Sequence, residues 1–344
     1  MATQPEVTIR PNGAFALFGN NGANNTASGF DAMFGNTENG TTGSNNTANG
    51  AFALHENDGA NNTASGFEAL FSNTTGGHNS ATGVAALRSN TIGSFNTGNG
   101  GFALFGNTTG CCNTATGFGA LFSNTTGIFN TANGDGALRS NTTGNNNVAL
   151  GNSAGSGATT GSGNVYIGVG VQGVAGESST CYIASIFGQT SANGIPVLIN
   201  SSDKLGTATS SKRFKKDIKP MDRASEALFS LKPVTFRYKK EIDPASIPQF
   251  GLVAEDVEKL NPDLVVRDME GKAYTVRYEA VNAMLLNEFL KEHRQVQEQK
   301  ATIVELKSAV AQQQKQIEAL SAGLQKVSAQ LEANKPVPQV ANNP

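Results

Sequence analysis

The sequence predicts a mainly β N-terminal half, built as a trimeric parallel β-roll of short stacked coils, and an α+β C-terminal module that ends in a long trimeric coiled coil. Three observations carry this: a glycine that returns every 17 residues through much of the first half, an abrupt compositional change near residue 200, and a heptad pattern before the C-terminus.

The repeat reads N-T-A-x-G followed by x-x-A-L, with its glycine at Gly13, Gly29, Gly50, Gly66, Gly83, Gly100, Gly117, Gly134, Gly151 and Gly168. From Gly66 onward every interval is 17 residues, after earlier ones of 16, 21 and 16. Three places before the glycine stand Thr26, Thr47, Thr63, Ser80, Thr97, Thr114 and Thr131, a row continued by Val148 and Val165. Four places after it stand Leu17, Met33, Leu54, Leu70, Leu87, Leu104, Leu121 and Leu138, and turn formers such as Asn73-Thr74-Thr75-Gly76 separate the two rows.

A coil of this length with two turns leaves room for two strands of about five residues at ~3.3 Å each. Coils stacked roughly 4.8 Å apart bury the repeated Leu and Phe positions against one another and let Asn and Thr ladders satisfy themselves along the stack. One apolar flank is left over, and two further copies of the chain are expected to cover it. A disordered tract of the same composition has no need of such spacing.

Asn147-Val148-Ala149-Leu150-Gly151 and Asn164-Val165-Tyr166-Ile167-Gly168 resemble the N-S-V-A-I-G signature of trimeric autotransporter adhesin heads, which are left-handed parallel β-rolls. The resemblance covers about 13–170, most coils having Thr where that family prefers Val. It leaves 1–12 as an N-terminal segment and 171–209 as a β-rich neck, with Val165-Tyr166-Ile167, Cys181-Tyr182-Ile183 and Pro196-Val197-Leu198-Ile199 as short strands around and within it.

Beyond about Gly206 the chain gains charge, proline punctuation and ordinary α/β patterning. Ser210-Ser211-Lys212-Arg213-Phe214-Lys215-Lys216-Asp217-Ile218 resembles the S-D-x-R-L-K-x-D-I opening of the endosialidase-type intramolecular chaperone, serine peptidase family 74. Further blocks of the same likeness follow in order: 227–238, Phe250-Gly251-Leu252-Val253-Ala254-Glu255-Asp256-Val257, Pro262-Asp263-Leu264-Val265, and Tyr278 with the helix after it. The resemblance implies a chaperone autoprotease domain over 210–281, a homotrimeric folding aid of phage tail spikes and fibres that then cuts itself off. It also implies Ser210 as nucleophile, Lys215 as base and Thr209-Ser210 as the scissile bond.

The chemistry is consistent with residue types. A serine hydroxyl needs a base to take its proton, and a lysine serves only when burial or neighbouring cations destabilise its ammonium. Arg213 and Lys216 flank Lys215, while the three histidines, His55, His78 and His293, lie far from the motif. A Ser-Lys dyad is therefore the variant open to this sequence. Ser211 stands where the family has Asp, which leaves a one-residue shift to Ser211 with Lys216 open.

From Asn282 to Leu331 the pattern is helical and heptadic. Phe289, Val296, Ile303, Val310, Ile317, Leu324 and Leu331 take a positions, and Leu306, Leu320 and Val327 share d positions with Glu292, Gln299 and Gln313. The stretch 332–344 reads as a disordered tail.

A net charge of −2 gives no basic field, so nucleic acid is not an expected partner. Cys111, Cys112 and Cys181 form neither a disulfide framework nor a metal quartet, and read as small core residues. No cofactor, metal site, membrane span or signal peptide is expected. The functional expectation is a fibre or adhesin, on a virion tail or a bacterial surface, that meets a cell-surface glycan or receptor and matures by one self-cleavage. The alternative is a structural surface protein whose C-terminal region only trimerises and folds it. A membrane-tethered transcription factor, which also borrows this chaperone, fits poorly without a DNA-reading segment or a span.

Overall fold

The computed structural model describes residues 10–35 and 42–334. The expectations for residues 1–9 and for the tail from 335 lie outside them. The chain divides into two compact units between Ala192 and Asn193.

The first unit is a parallel β-solenoid. Eleven three-residue strands, from Arg10–Asn12 to Cys181–Ile183, pair in sequence order into one sheet, each with the next coil's equivalent, as Thr114 with Thr131 and Ala115 with Ala132. Each coil contributes one short strand to this sheet instead of two of about five residues. The rest of the coil is spent on turns, because the second and fourth residues after the repeat glycine both adopt left-handed backbone, for example Phe102 (φ 58°) and Leu104 (φ 53°). Large side chains are rare in that region, so stacking must hold them there. Leu104 N donates to Ala120 O at 2.9 Å and Leu138 N to Ala154 O at 2.9 Å in the following coil.

The interior closes within a single chain. The strand's central alanine and the repeated leucine are buried in coil after coil, Ala115, Leu121, Ala132 and Leu138 all at 0% exposure. Two asparagine columns run beside this apolar core. In one, each backbone N–H is capped by the previous coil's Oδ1, as Asn96 by Asn79 (2.9 Å) and Asn113 by Asn96 (3.0 Å), while Asn96 Nδ2 reaches Gly110 O at 2.8 Å. In the other, Asn107 Nδ2 donates to Asn90 Oδ1 (2.7 Å) and Gly110 O (2.9 Å). Buried amides at this density are tolerable because their hydrogen bonds are made. The second column stops at Ala158, which takes the next asparagine's place, and Asn141 Oδ1 is left without a partner. The apolar core changes at the same end: Tyr166 replaces the strand alanine and fills the volume of the missing leucine at Gly155, where an added Cβ would lie 2.6 Å from the tyrosine ring.

Aromatic rings line the turn that follows the glycine. Phe18, Phe34, His55 and Phe71 stack nearly parallel at 5.1–5.4 Å between centroids. The Arg88 guanidinium lies over Phe71 (5.2 Å) and Phe105 (5.9 Å), Phe105 stacks on Phe122, and Arg139 covers Phe122 (5.1 Å). A second row, Phe15, Phe30, Phe52 and Phe67, packs edge to face, and Phe15, Phe30 and Phe67 remain about half exposed. The cysteines are not core residues: Cys111 and Cys112 are half-buried at a turn and Cys181 is exposed, because each occupies an outward-facing position of its coil.

In the second unit, three antiparallel hairpins pair Val197–Ile199 with Leu205–Thr207, Val234–Phe236 with Gln249–Gly251, and Val265–Arg267 with Ala273–Val276. Helix α1 (Ala254–Leu260) and the start of helix α2 (Tyr278–Ala333) enclose a small core of Val257, Leu264, Val265, Val276, Val281 and Met284. Helix α2 begins four residues before the expected Asn282, since Val281 and Met284 belong to that core. At about 1.5 Å per residue its 56 residues extend about 84 Å. Its heptad residues are exposed throughout, from 41% at Val296 to 71% at Leu324.

The stacking makes two changes costly. A Cβ at Gly134 (φ +144°) would lie 2.2 Å from Gly151 O, and truncating Asn107 removes one of the two acceptors of the buried Asn124 amide. Gly134→Ala and Asn107→Ala are each expected to lower stability by about 1–3 kcal/mol, and outward-facing Thr131→Ser by no more than about 0.5 kcal/mol, in urea unfolding of the full chain. Equal midpoints for all three would show that close coil approach does not govern stability.

Candidate active site

Ser210 and Lys215 meet. A one-turn 3-10 helix, Lys212–Phe214, reverses the chain between them, with Phe214 N donating to Ser211 O (3.0 Å) and Lys215 N to Lys212 O (3.1 Å). The turn brings Lys215 Nζ to 3.1 Å from Ser210 Oγ, within general-base reach. Both residues are exposed in the single chain and line an open depression with Lys212, Asp217 and Ile218. Ser211 precedes the turn without a side-chain capping bond, and the Arg213 guanidinium lies over the Phe214 ring at 4.6 Å. No hydrogen bond links Ser211 with Lys216 among the described residues. Asp217, at φ 52°, lines the same depression. Sequence reasoning passed it over as a motif position without a role, and its signal was only its place two residues beyond the lysine.

The blocks that follow are joined into one module. Leu252 N donates to Tyr278 Oη at 3.0 Å, and an added Cβ at Gly251 would lie 2.9 Å from that hydroxyl, so the Phe250-Gly251-Leu252 block is seated directly on the start of α2. Arg277 N donates to Leu264 O (2.8 Å) and its guanidinium to Asp263 O (3.2 Å), tying in the Pro262–Val265 block. A 3-10 segment, Asp222–Ser230, lies along α2 through buried Ser225, whose hydroxyl donates to Glu288 and accepts from Asn287 Nδ2 at 2.7 Å. Lys291 Nζ completes the cluster at 2.7 Å from Glu288.

A family model, the chaperone of endosialidase, matches residues 210–266. The matched stretch starts at Ser210, contains the Ser210–Lys215 turn and α1, and ends within the first strand of the third hairpin. The matched segment is 57 of the 344 residues, and the solenoid lies outside it. No curated protein and no solved structure matches the chain. Among the described residues no helix is long and apolar enough to cross a membrane.

The polar cluster on α2 has a pH signature. Hydrogen bonding from Lys291, and then from Ser225, holds the Glu288 carboxyl below the usual carboxylate range. A depressed carboxylate adds stability that is complete above its unfolded-state value and is lost as pH falls through the folded one. On acidification below roughly pH 4, the full chain is expected to lose resistance to urea, read as helix ellipticity, more steeply than Glu288→Gln does. Parallel pH profiles would remove the cluster from that role.

Proposed function

We propose that this chain is a homotrimeric fibre or adhesin whose C-terminal module aligns three copies and then releases the rod by cutting Thr209-Ser210. The observation that carries the reading is the 3.1 Å approach of Lys215 Nζ to Ser210 Oγ at the head of the matched chaperone segment.

In this reading Ser210 Oγ attacks the Thr209 carbonyl carbon as neutral Lys215 takes its proton. The Thr209-Ser210 C–N bond breaks to leave an ester on Ser210, and water hydrolyses it. Lysine can accept a proton only once its ammonium is destabilised. The depression is open in the single chain, and assembly would exclude water from it. Cutting would then follow association and not precede it.

The exposed apolar surface supports association. Helix α2 presents Phe289, Val296, Ile303, Val310, Ile317 and Leu324 to solvent, and Phe229, Phe250 and Tyr274 are each more than 70% exposed. Isolated soluble chains rarely display so much contiguous apolar surface, and parallel copies of a heptad helix cover it. Three aligned helices raise the effective concentration of the solenoids that precede them. The rod's outer surface would meet a cell-surface glycan or receptor, and residues 13–170 would be the presenting head.

Incubation of the full chain, with denaturing electrophoresis and N-terminal sequencing of the C-terminal fragment, tests the cut. A fragment beginning at Ser210 is expected, absent from Ser210→Ala and Lys215→Ala and retained in Ser211→Ala and Lys216→Ala. The opposite pattern would move the dyad by one residue, and an uncut wild type would favour the non-cleaving structural alternative. Sedimentation of Ser210→Ala is expected to give three copies, and Ile303→Asp with Ile317→Asp to dissociate them. A folded wild-type monomer would refute the assembly reading.

A further inference from the structure

Cys111 and Cys112 stand on the turn leading into strand Thr114–Thr116, free, half-buried, with their Sγ atoms 3.1 Å apart. Their backbone is set by the coil and not by the thiols. Cys112 has φ 62°, and the equivalent residues of neighbouring coils, His78, Phe95, Phe129 and Asn146, have φ between 55° and 60° whatever their side chain. The pair is pinned from both sides: Cys112 N donates to Ser94 O (3.0 Å), and Phe129 N donates to Cys111 O (3.2 Å). Closing the sulfurs to bonding distance requires a movement of only about 1 Å.

We propose that Cys111 and Cys112 form a reversible oxidation site, closing to a disulfide between adjacent residues when the chain meets a small disulfide oxidant such as oxidised glutathione. One thiolate attacks the oxidant's disulfide, forming a mixed disulfide and expelling the first glutathione thiolate. The neighbouring thiolate attacks the protein-side sulfur and expels the second. Two protein thiols are oxidised, one glutathione disulfide is reduced to two thiols, and both protons pass to solvent or to the departing thiolates.

Two features make this a labile bond and not a staple. Adjacent Cα atoms lie about 3.8 Å apart, below the usual 4.4–6.8 Å span of a disulfide, so the ring is strained and easily reduced. It encloses no intervening residue, so it scarcely restricts the unfolded chain. The Cys112 thiol is held above its ordinary value by its hydrogen bond with Cys111 and by burial, so closure should accelerate as pH rises and thiolate accumulates.

The test is to expose the full folded chain to oxidised glutathione, trap free thiols with N-ethylmaleimide, and weigh the peptide containing residues 111 and 112. The expected peptide is two hydrogens lighter, unalkylated and without glutathione. Cys112→Ser should instead carry glutathione on Cys111, and the ring yield should fall at least about tenfold when the wild type is first unfolded in urea. Alkylation or separate glutathione on both thiols, linkage through Cys181, or an equal yield in the unfolded chain would each overturn the proposal.

Discussion

The close approach of successive coils at the repeat glycine is the constraint on which the solenoid depends. At Gly117 and Gly134 the space where a Cβ would sit is taken by the next coil's carbonyl, at 2.5 and 2.2 Å. That contact fixes the coil spacing, and the spacing in turn allows Leu121 N to reach Ala137 O and Asn124 Nδ2 to reach Asn107 Oδ1. The left-handed leucines would be unfavourable alone. They persist because every coil supplies the neighbour with the hydrogen bond that holds it.

Much of this was legible in the sequence, because a 17-residue period with one small and one large apolar position states where the interior lies. The asparagine ladders were legible in kind for the same reason. The strand length was not. Sequence rules assign left-handed backbone to Gly and Asn, so nothing in Phe102 or Leu104 announces that the segment is a tight turn and not a second strand. Nor was self-closure of the core visible: the leucines are buried inside one chain, and the flank left open is lined by phenylalanine.

In the second unit the balance is different. Order along the chain indicated which blocks belong together, while the contacts joining them, Tyr278 Oη to Leu252 N and Ser225 to Glu288, bridge residues 26 and 63 apart and leave no periodic trace. The Ser210–Lys215 pairing lies between these cases. Its spacing was read from a motif, and the 3-10 turn at 212–214 that closes it follows from local backbone alone. Among its described residues this unit buries only six apolar side chains completely or nearly so, yet bears a helix of about 84 Å. Such a module is poorly stabilised by its own interior and gains most from neighbours.

The exchange of Ala and Leu for Tyr166 and Gly155, together with the halt of the asparagine column at Ala158, gives the rod two unlike kinds of segment. Between Gly66 and Gly134 each layer offers its neighbours nearly the same buried surfaces on both sides, Gly98 standing for the strand alanine in one coil, so gain or loss of a layer there changes length with little change of fit. Beyond Gly151 the layers differ in kind: Tyr166 stacks on Tyr182 of the last coil, and the sheet ends at Cys181–Ile183. Duplication of middle layers can therefore lengthen the solenoid while its last layers stay as they are.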